Sequence, residues 1–131
     1  MEAQLFAPES YNTASQAVRD QVCNGCGSSG WKGDLIPNRI LGLDIKPACD
    51  RHDWMYACGQ TMADKEEADD VFLNNMLRII DAGDGWWSQF RTIRNLRRDA
   101  AKGYYEAVKI FGGPAFWEGK NPAANMLLTT A

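Results

Sequence analysis

The single histidine of this 131-residue chain has two carboxylates placed to work with it. Asp53 follows His52 directly, and Asp69 lies further along in a segment that also has a helical pattern. A neutral imidazole can take a proton from water, and a carboxylate can hold the imidazole in the required tautomer. The other carboxylate, Asp53, lies beside a loop rich in free carbonyls and suits a hard cation such as calcium. These residue types predict a general base, a carboxylate that orients it and a metal ion that holds negative charge.

The helical pattern around His52 places this residue on an inward face. Pro47 suits the first turn of a helix that runs to about Ala57 and ends at Gly59. At about 100° per residue, one face of this helix contains Cys49, His52, Met55, Tyr56 and Gly59. The residues that lie away from it are Asp50, Arg51 and Trp54. Asp53 points roughly a quarter-turn aside, toward the glycine-rich loop.

Asp69 lies in the middle of the apolar stripe of the next predicted helix. Thr61 and Asp64 resemble a capping box, which opens this helix and predicts that it runs to about Ala82. Its apolar stripe consists of Phe72, Leu73, Met76 and Ile80, and the polar residues off the stripe are Asp70, Asn74 and Asn75. The sequence therefore places a carboxylate on a face that should be buried.

A buried carboxylate is costly unless it is paired and hydrogen-bonded. We therefore expect Asp69 to meet His52 across an antiparallel pair of helices. The alternative is that Asp69 pairs with an arginine such as Arg94, and that His52 is an ordinary, satisfied core histidine. Both interpretations follow from the helical pattern alone.

Four cysteines allow either two disulfides in an oxidising compartment or a metal site. They are Cys23, Cys26, Cys49 and Cys58. The Cys-x-x-Cys pair in the loop and the Cys-x-x-His pair that includes His52 have a spacing that zinc modules use, with Cys58 as a substitute ligand. A zinc site gives no role to Asp53 or Asp69, which makes it the weaker interpretation.

The rest of the chain is predicted to be helical around one long loop. Residues 9–20 form a short helix capped by Ser10, and residues 86–111 form a long helix with a possible break at Gly103. Glycines and prolines punctuate residues 23–47, which predicts a long ordered loop, and the segment from residue 112 is predicted to be irregular. No segment alternates like a strand. We expect a single all-α domain over residues 1–131, with two antiparallel central helices and flanking N- and C-terminal helices.

Charge and hydropathy exclude several kinds of partner. With 14 Lys and Arg against 17 Asp and Glu, the net charge is -3, which argues against nucleic-acid binding. No apolar run approaches the roughly 20 residues of a transmembrane segment. A basic strip on the third long helix could still contact anionic lipid headgroups; it consists of Arg91, Arg94, Arg97, Arg98 and Lys102. No signal peptide is visible at the N-terminus.

Four segments together resemble the secreted phospholipases A2, in pattern most of all the bacterial and fungal members. Residues 48–56 (ACDRHDWMY) resemble the active-site helix, and residues 23–27 (CNGCG) resemble the calcium loop. Residues 69–72 (DDVF) resemble the second helix with its carboxylate, and residues 104–112 (YYEAVKIFG) resemble the C-terminal helix of the microbial members. The order and spacing of these segments, over roughly residues 22–112, make the resemblance specific.

The resemblance implies an enzyme, a phospholipase A2. Such an enzyme hydrolyses the sn-2 ester of glycerophospholipids and releases a fatty acid and a lysophospholipid. His52 is then the general base that takes a proton from the attacking water. Asp69 orients the imidazole and stabilises the imidazolium, and Tyr56 supports this carboxylate.

The resemblance also implies a calcium ion and a lipid surface. Asp53 would ligate calcium, with the main-chain carbonyl of Gly25 and with Asn24 as further ligands. Calcium would bind the lipid phosphate and stabilise the oxyanion. By the same resemblance we expect a secreted or extracellular monomer that works at the periphery of a phospholipid membrane.

One disulfide follows from the resemblance and a second only by elimination. The resemblance pairs Cys26 with Cys49, which would link the calcium loop to the active-site helix. Cys23 and Cys58 are then left to pair with each other. Four cysteines allow three connectivities, so the sequence by itself does not choose among them.

Three positions depart from the family pattern. Ala48 and Met55 stand where the family has two cysteines, so the disulfides of those cysteines are absent. Asn24 stands where some microbial members have an acidic calcium ligand. This last departure keeps open an alternative function, a catalytically inactive phospholipase-like module that binds lipid or a protein. A structural zinc domain is the less favoured second alternative.

Overall fold

The computed structural model describes residues 4–23, 36–83, 86–117 and 120. The helices are α1 (Glu9–Thr13), α2 (Gln16–Val22), α3 (Lys46–Cys58), α4 (Met62–Asp81), α5 (Arg91–Phe111) and α6 (Gly113–Trp117). Two short strands, β1 (Arg39–Ile40) and β2 (Leu43–Asp44), precede α3, and a 3₁₀ turn over Trp86–Gln89 precedes α5. The described part of the chain is mainly helical, which confirms the fold class in its coarse form.

The central helices α3 and α4 begin and end close to where their sequence signals predict. Pro47 lies in the first turn of α3, and the N–H of Gly59 bonds to the carbonyl of Met55 at its end. Thr61 and Asp64 complete the predicted capping box at the start of α4 by bonding to each other's backbone N–H groups. Residues 59–61 alone connect the two helices, so α4 runs back along α3.

Both terminal segments differ from their predictions. Residues 9–20 do not form one helix, because the backbone of Ala14 and Ser15 is extended between α1 and α2. The hydroxyl of Ser15, and not that of Ser10, accepts the capping bond from the N–H of Val18. The segment after residue 112 was expected to be irregular but contains α6, whose Phe116 is fully buried. Tertiary packing of this ring stabilises a helix too short to persist alone.

The third long helix begins later than predicted and is unbroken. The backbone of Phe90 is extended (φ -87°, ψ 127°), so α5 starts at Arg91 and is separate from the 3₁₀ turn. Gly103 lies inside α5 without interrupting it, since an interior glycine costs only about 1 kcal/mol relative to alanine. The i→i−4 bonds of a 21-residue helix on a packed face outweigh that cost.

The strands β1 and β2 form an antiparallel hairpin in a segment predicted to be loop. Ile40 pairs with Leu43, and the two residues of the turn both have positive φ: Leu41 at 47° and Gly42 at 81°. A tight hairpin turn of this kind requires positive φ at both central positions. Strands of two residues are too short to show an alternating pattern, which is why the sequence does not predict them.

The core lies between α3, α4, α5 and the hairpin, and its fully buried members include Ile40, Ile45, Phe72, Met76, Ile80 and Val108. Two residues that the helical wheel places off the inward face are nevertheless buried. Trp54 packs under the N-terminal segment and donates to the hydroxyl of Ser10. Asn75 is fully buried, and its side-chain amide is satisfied by two hydrogen bonds to the backbone of Phe6. The N-terminal segment therefore covers a second face of the central helix pair.

The basic strip of α5 is only partly a solvent-exposed surface. Arg97 is buried and donates to the hydroxyl of Ser88 and the carbonyl of Leu41, which ties α5 to the hairpin. Arg98 forms an ion pair with Asp81 of α4. Among the described helices, none has an apolar stretch of the length that a bilayer crossing requires.

Candidate active site

His52 of α3 and Asp69 of α4 meet inside the core. Nε2 of His52 lies 2.8 Å from Oδ1 of Asp69, and each of the two residues is 1% exposed. The short connection between the helices and their shared inward faces bring the two side chains together. This confirms the juxtaposition predicted from the helical wheel. The described partners of Asp69 are His52, Tyr56 and Lys65, so the alternative pairing with Arg94 is wrong.

Tyr56 lies one helical turn after His52 and contacts the same carboxylate. Its hydroxyl donates to Oδ1 of Asp69 at 2.7 Å, and its ring lies 4.1 Å from the imidazole between centroids. Burial raises the pKa of Tyr56, and the hydrogen bond to Asp69 raises it further. The phenol therefore keeps its proton at neutral pH and stays a donor. This position matches the supporting role that the resemblance implies for Tyr56.

Lys65 is the third donor to Asp69, and it was not among the site residues predicted from the sequence. Its ammonium lies 2.8 Å from Oδ2 of Asp69 and is buried with it. It also donates to the carbonyls of Val108 and Lys109, at 3.2 and 3.4 Å, in the last turn of α5. The i,i+4 spacing from Lys65 to Asp69 is a signal for an ion pair on a helix. That spacing alone does not show that another helix covers the pair.

Asp69 is held in its ionised form by these donors. Burial by itself raises the pKa of Asp69, because desolvation penalises a charged carboxylate. The hydrogen bonds from His52, Lys65 and Tyr56 outweigh burial and hold the pKa of Asp69 below its usual value. An ionised carboxylate can only accept hydrogen bonds, so Nε2 of His52 carries the proton of their shared bond. The lone pair of the neutral imidazole is therefore on Nδ1.

Aromatic rings enclose the His52–Asp69 pair. Phe72 stacks on the imidazole with ring centroids 4.6 Å apart, and Phe116 meets Tyr56 edge-on at 5.3 Å. Gly59 permits this packing, because a β-carbon there would lie 2.6 Å from the ring of Phe116. Apolar walls lower the local dielectric constant, which strengthens hydrogen bonds to a charged group. The sequence predicted Phe72 in this stripe but gave no signal for Phe116.

The predicted calcium ligands are only partly within the described residues. Asp53 follows His52 on α3 and is partly buried, and its carboxylate is the hard oxygen donor that calcium prefers. Gly25 and Asn24 lie outside the described residues. Within the part of the chain that the structure describes, no three His, Cys, Asp or Glu side chains form a cluster suited to a metal ion. The donor chemistry of Asp53 fits calcium, and the other ligands stay predictions.

The described cysteines correct one of the two disulfides expected. Cys23 and Cys58 are not joined: the thiol of Cys23 bonds to the carbonyl of Asp50 at 3.0 Å, and Cys58 is an exposed thiol. Asp50 and Cys58 are eight residues apart on α3, about 12 Å along the axis, which no disulfide spans. Cys49 is fully buried on the inward face of α3. Its predicted partner Cys26 lies outside the described residues, so that pairing stays a prediction.

Comparisons with known proteins add nothing to this site. No family model matches the chain, and neither the curated proteins nor the solved structures include a significant match.

Proposed function

We propose that this protein is a calcium-dependent phospholipase A2. It would hydrolyse the sn-2 ester of glycerophospholipids and release a fatty acid and a lysophospholipid. The observation that carries the proposal is the buried pair of His52 and Asp69, with the Tyr56 hydroxyl on the same carboxylate oxygen. A base, an ionised carboxylate that orients it and a neutral donor that fixes the carboxylate are the groups that activate water in ester hydrolysis.

His52 would act through Nδ1, because Nε2 donates to Asp69. In the proposed reaction Nδ1 takes a proton from water while the water oxygen attacks the ester carbonyl carbon. Asp69 then stabilises the imidazolium, and the proton passes to the departing alcohol oxygen as the ester bond breaks. Since His52 is 1% exposed, the attacking water would be held apart from bulk solvent.

Calcium is part of the proposal through Asp53. A calcium ion held by Asp53 with Gly25 and Asn24 would bind the lipid phosphate and stabilise the oxyanion. A disulfide between Cys26 and Cys49 would anchor the loop that carries two of these ligands to α3. The chemistry of Asp53 supports this part of the proposal, because a partly buried carboxylate next to the base is suited to a hard cation.

The setting that we propose is a secreted or extracellular monomer that acts at the surface of a phospholipid membrane. The exposed members of the basic strip, such as Arg91 and Lys102, support contact with anionic headgroups. Two cysteines joined between the loop and α3 would suit an oxidising compartment. We also propose that residues 1–131 form a single domain that carries this function.

The test is release of fatty acid from vesicles of mixed phospholipids that carry a label on the sn-2 chain. The wild type is expected to release labelled fatty acid in millimolar calcium and to lose this activity in a calcium chelator. His52→Ala and Asp69→Asn should both lose most of the activity, and Asp53→Asn should raise the calcium concentration required. Lys46→Met, a change in an exposed ion pair of α3, is the control and should keep full activity.

Two results would contradict the proposal. One is the absence of fatty-acid release by the wild type in millimolar calcium, and the other is equal release by His52→Ala. Binding of the vesicles without hydrolysis would instead assign the inactive lipid-binding module. Stoichiometric zinc that survives a calcium-selective chelator would assign the structural zinc domain.

A further inference from the structure

The two oxygens of the Asp69 carboxylate have different partners. Oδ1 accepts from His52 and Tyr56, whereas Oδ2 accepts from the ammonium of Lys65 at 2.8 Å. Lys65 is only 4% exposed, so its charge is neutralised inside the protein and not by water. Removal of one member of a buried ion pair is costly, because the other is left with an uncompensated charge.

The ammonium of Lys65 is fixed by α5 as well as by Asp69. It donates to the carbonyls of Val108 and Lys109 in the last turn of α5, where the carbonyl of Val108 also accepts from the N–H of Gly112. The last carbonyls of a helix lack partners within it, so a cation is favoured there. The negative end of the α5 dipole also favours a cation at this place. Lys65 thus joins the end of α5 to the carboxylate that contacts His52.

The ion pair of Lys46 and Asp50 on α3 can be compared with the pair of Lys65 and Asp69 on α4. Lys46 and Asp50 have the same i,i+4 spacing and the same 2.8 Å separation, but their side chains are 50% and 17% exposed. An exposed pair of this kind contributes little, because water and salt screen it. Lys65 and Asp69 differ from it in burial and in the contact with α5. The Lys46 pair is therefore a matched control for the Lys65 pair.

We propose that Lys65 is a positioning residue of this site. A carboxylate can turn about its Cβ–Cγ bond, and the ammonium held by α5 keeps Oδ2 on one side. Oδ1 is thereby kept toward His52 and Tyr56, and the imidazole is kept with Nε2 toward Asp69. The catalytic consequence of this positioning rests on the proposed phospholipase activity, but the positioning itself does not.

A cavity of about 280 Å³ between α4 and α5 is lined by Lys65 and Asp69 together with Met62 and Tyr105. This cavity makes a chemical test possible. Lys65→Ala removes a fragment equal to propylammonium, which is small enough to enter the space left behind. A neutral molecule of similar size, 1-propanol, can fill the same space but provides no charge.

The first measurement is kcat and KM on sn-2-labelled vesicles of phosphatidylcholine and phosphatidylglycerol. Lys65→Ala is expected to lower kcat by about tenfold to a hundredfold, as loss of a supporting group does, with KM little changed. Propylammonium should restore part of kcat and 1-propanol should not, and Lys46→Ala should match the wild type. A kcat equal to the wild type, a change in KM alone, or equal effects of the two additives would overturn the proposal.

The second measurement does not depend on hydrolysis. His52 is the only histidine, so its imidazole signals in a ¹⁵N-labelled sample are unambiguous. At a fixed pH of about 8, the wild type should show the proton on Nε2 and a strongly downfield N–H resonance. Lys65→Ala, or Lys65→Gln if the alanine variant does not fold, should move this resonance upfield, whereas Lys46→Ala should not. An unchanged resonance overturns the proposal, and a shift supports it even if the wild type hydrolyses no lipid.

Discussion

Gly112 lies against the hydroxyl of Tyr56, so close that a β-carbon at this position would overlap the phenolic oxygen. The backbone of Gly112 has an ordinary φ of -79°, so the position requires glycine for space and not for conformation. Gly112 follows the last residue of α5, and Tyr56 donates to Asp69. The end of α5 therefore touches the candidate site at two points, at Tyr56 through Gly112 and at Lys65 through its carbonyls.

Gly112→Ala is expected to destabilise the protein by about 1–3 kcal/mol, because the added methyl group forces Tyr56 or α5 to move. Urea denaturation measures the change in the free energy of unfolding. A β-carbon at Gly112 would overlap the backbone carbonyl of Val108 as well as the hydroxyl of Tyr56. Tyr56→Phe removes only the overlap with the hydroxyl, so the double variant should lose less than the sum of the two single changes but more than Tyr56→Phe alone. Gly103→Ala is the control: it has open space around it in α5 and should raise stability by about 0.5–1 kcal/mol. Equal losses for Gly112→Ala and Gly103→Ala would contradict the close contact.

The helical period was sufficient to place His52, Asp69 and Tyr56 on inward faces, because one pair of helices buries all three, whereas the role of Tyr56 was implied only by the resemblance. A helical wheel identifies such residues because the short connection between α3 and α4 makes the two helices run antiparallel. Lys65 could not be found in this way. Its burial depends on the last turn of α5, more than forty positions further along the chain, and the pattern of α4 has no information about that contact.

Trp54 and Asn75 were predicted to lie on outer faces, because the pattern of a helix has no information about contacts with distant segments. A wheel predicts the one face that the nearest neighbouring helix covers, whereas here an extended N-terminal segment covers a second face. The hairpin was not predicted because its two-residue strands are too short to show an alternating pattern, and its bond to Arg97 of α5 is a long-range contact. The local sequence pattern thus predicts the helices and their inward residues. Burial on the other faces depends on long-range polar contacts that this pattern does not contain.

Asn75 fixes the N-terminal segment to α4, and its loss should release that segment. Its amide accepts from the N–H of Phe6 at 2.8 Å and donates to the carbonyl of Phe6 at 2.9 Å. Asn75→Ala leaves both backbone groups without these partners, which should cost about 1–3 kcal/mol. Limited proteolysis should then cleave the first residues faster than in the wild type. Lys102→Ala, an exposed change on α5, should leave the rate of cleavage unchanged.

Asp64 gives the stability of α4 a defined dependence on pH. The backbone N–H of Gln60 donates to its carboxylate and lowers the pKa of Asp64, burial opposes this shift, and Thr61 adds to the lowering. A carboxyl with a lowered pKa in the folded state stabilises above its unfolded value of about 3.9. That contribution is lost as the pH falls through the folded value.

Asp64→Ala should therefore lower the free energy of unfolding by about 1 kcal/mol at pH 7, the usual loss for a helix cap. The difference from the wild type should shrink steadily below about pH 4, where the wild-type carboxylate takes up its proton. Urea denaturation at a series of pH values measures both. Asn74→Ala, an exposed change later in α4 at a residue that does not titrate, should show no such dependence. A constant difference between Asp64→Ala and the wild type down to the lowest pH would contradict the role of the capping carboxylate.

Cys58 is an exposed thiol at the end of α3, and it should react with a thiol reagent in the native protein. Cys58→Ser should change the free energy of unfolding by less than about 0.5 kcal/mol, as surface substitutions do. Peptide mapping without reduction should recover Cys58 in its alkylated form and should yield the proposed cross-linked pair of Cys26 and Cys49. A peptide that joins Cys23 to Cys58 would contradict the structure, because the Cys23 thiol bonds to the Asp50 carbonyl about 12 Å along α3 from Cys58. Alkylated Cys26 and Cys49 would remove the proposed anchor of the calcium loop while leaving the His52–Asp69 pair unaffected.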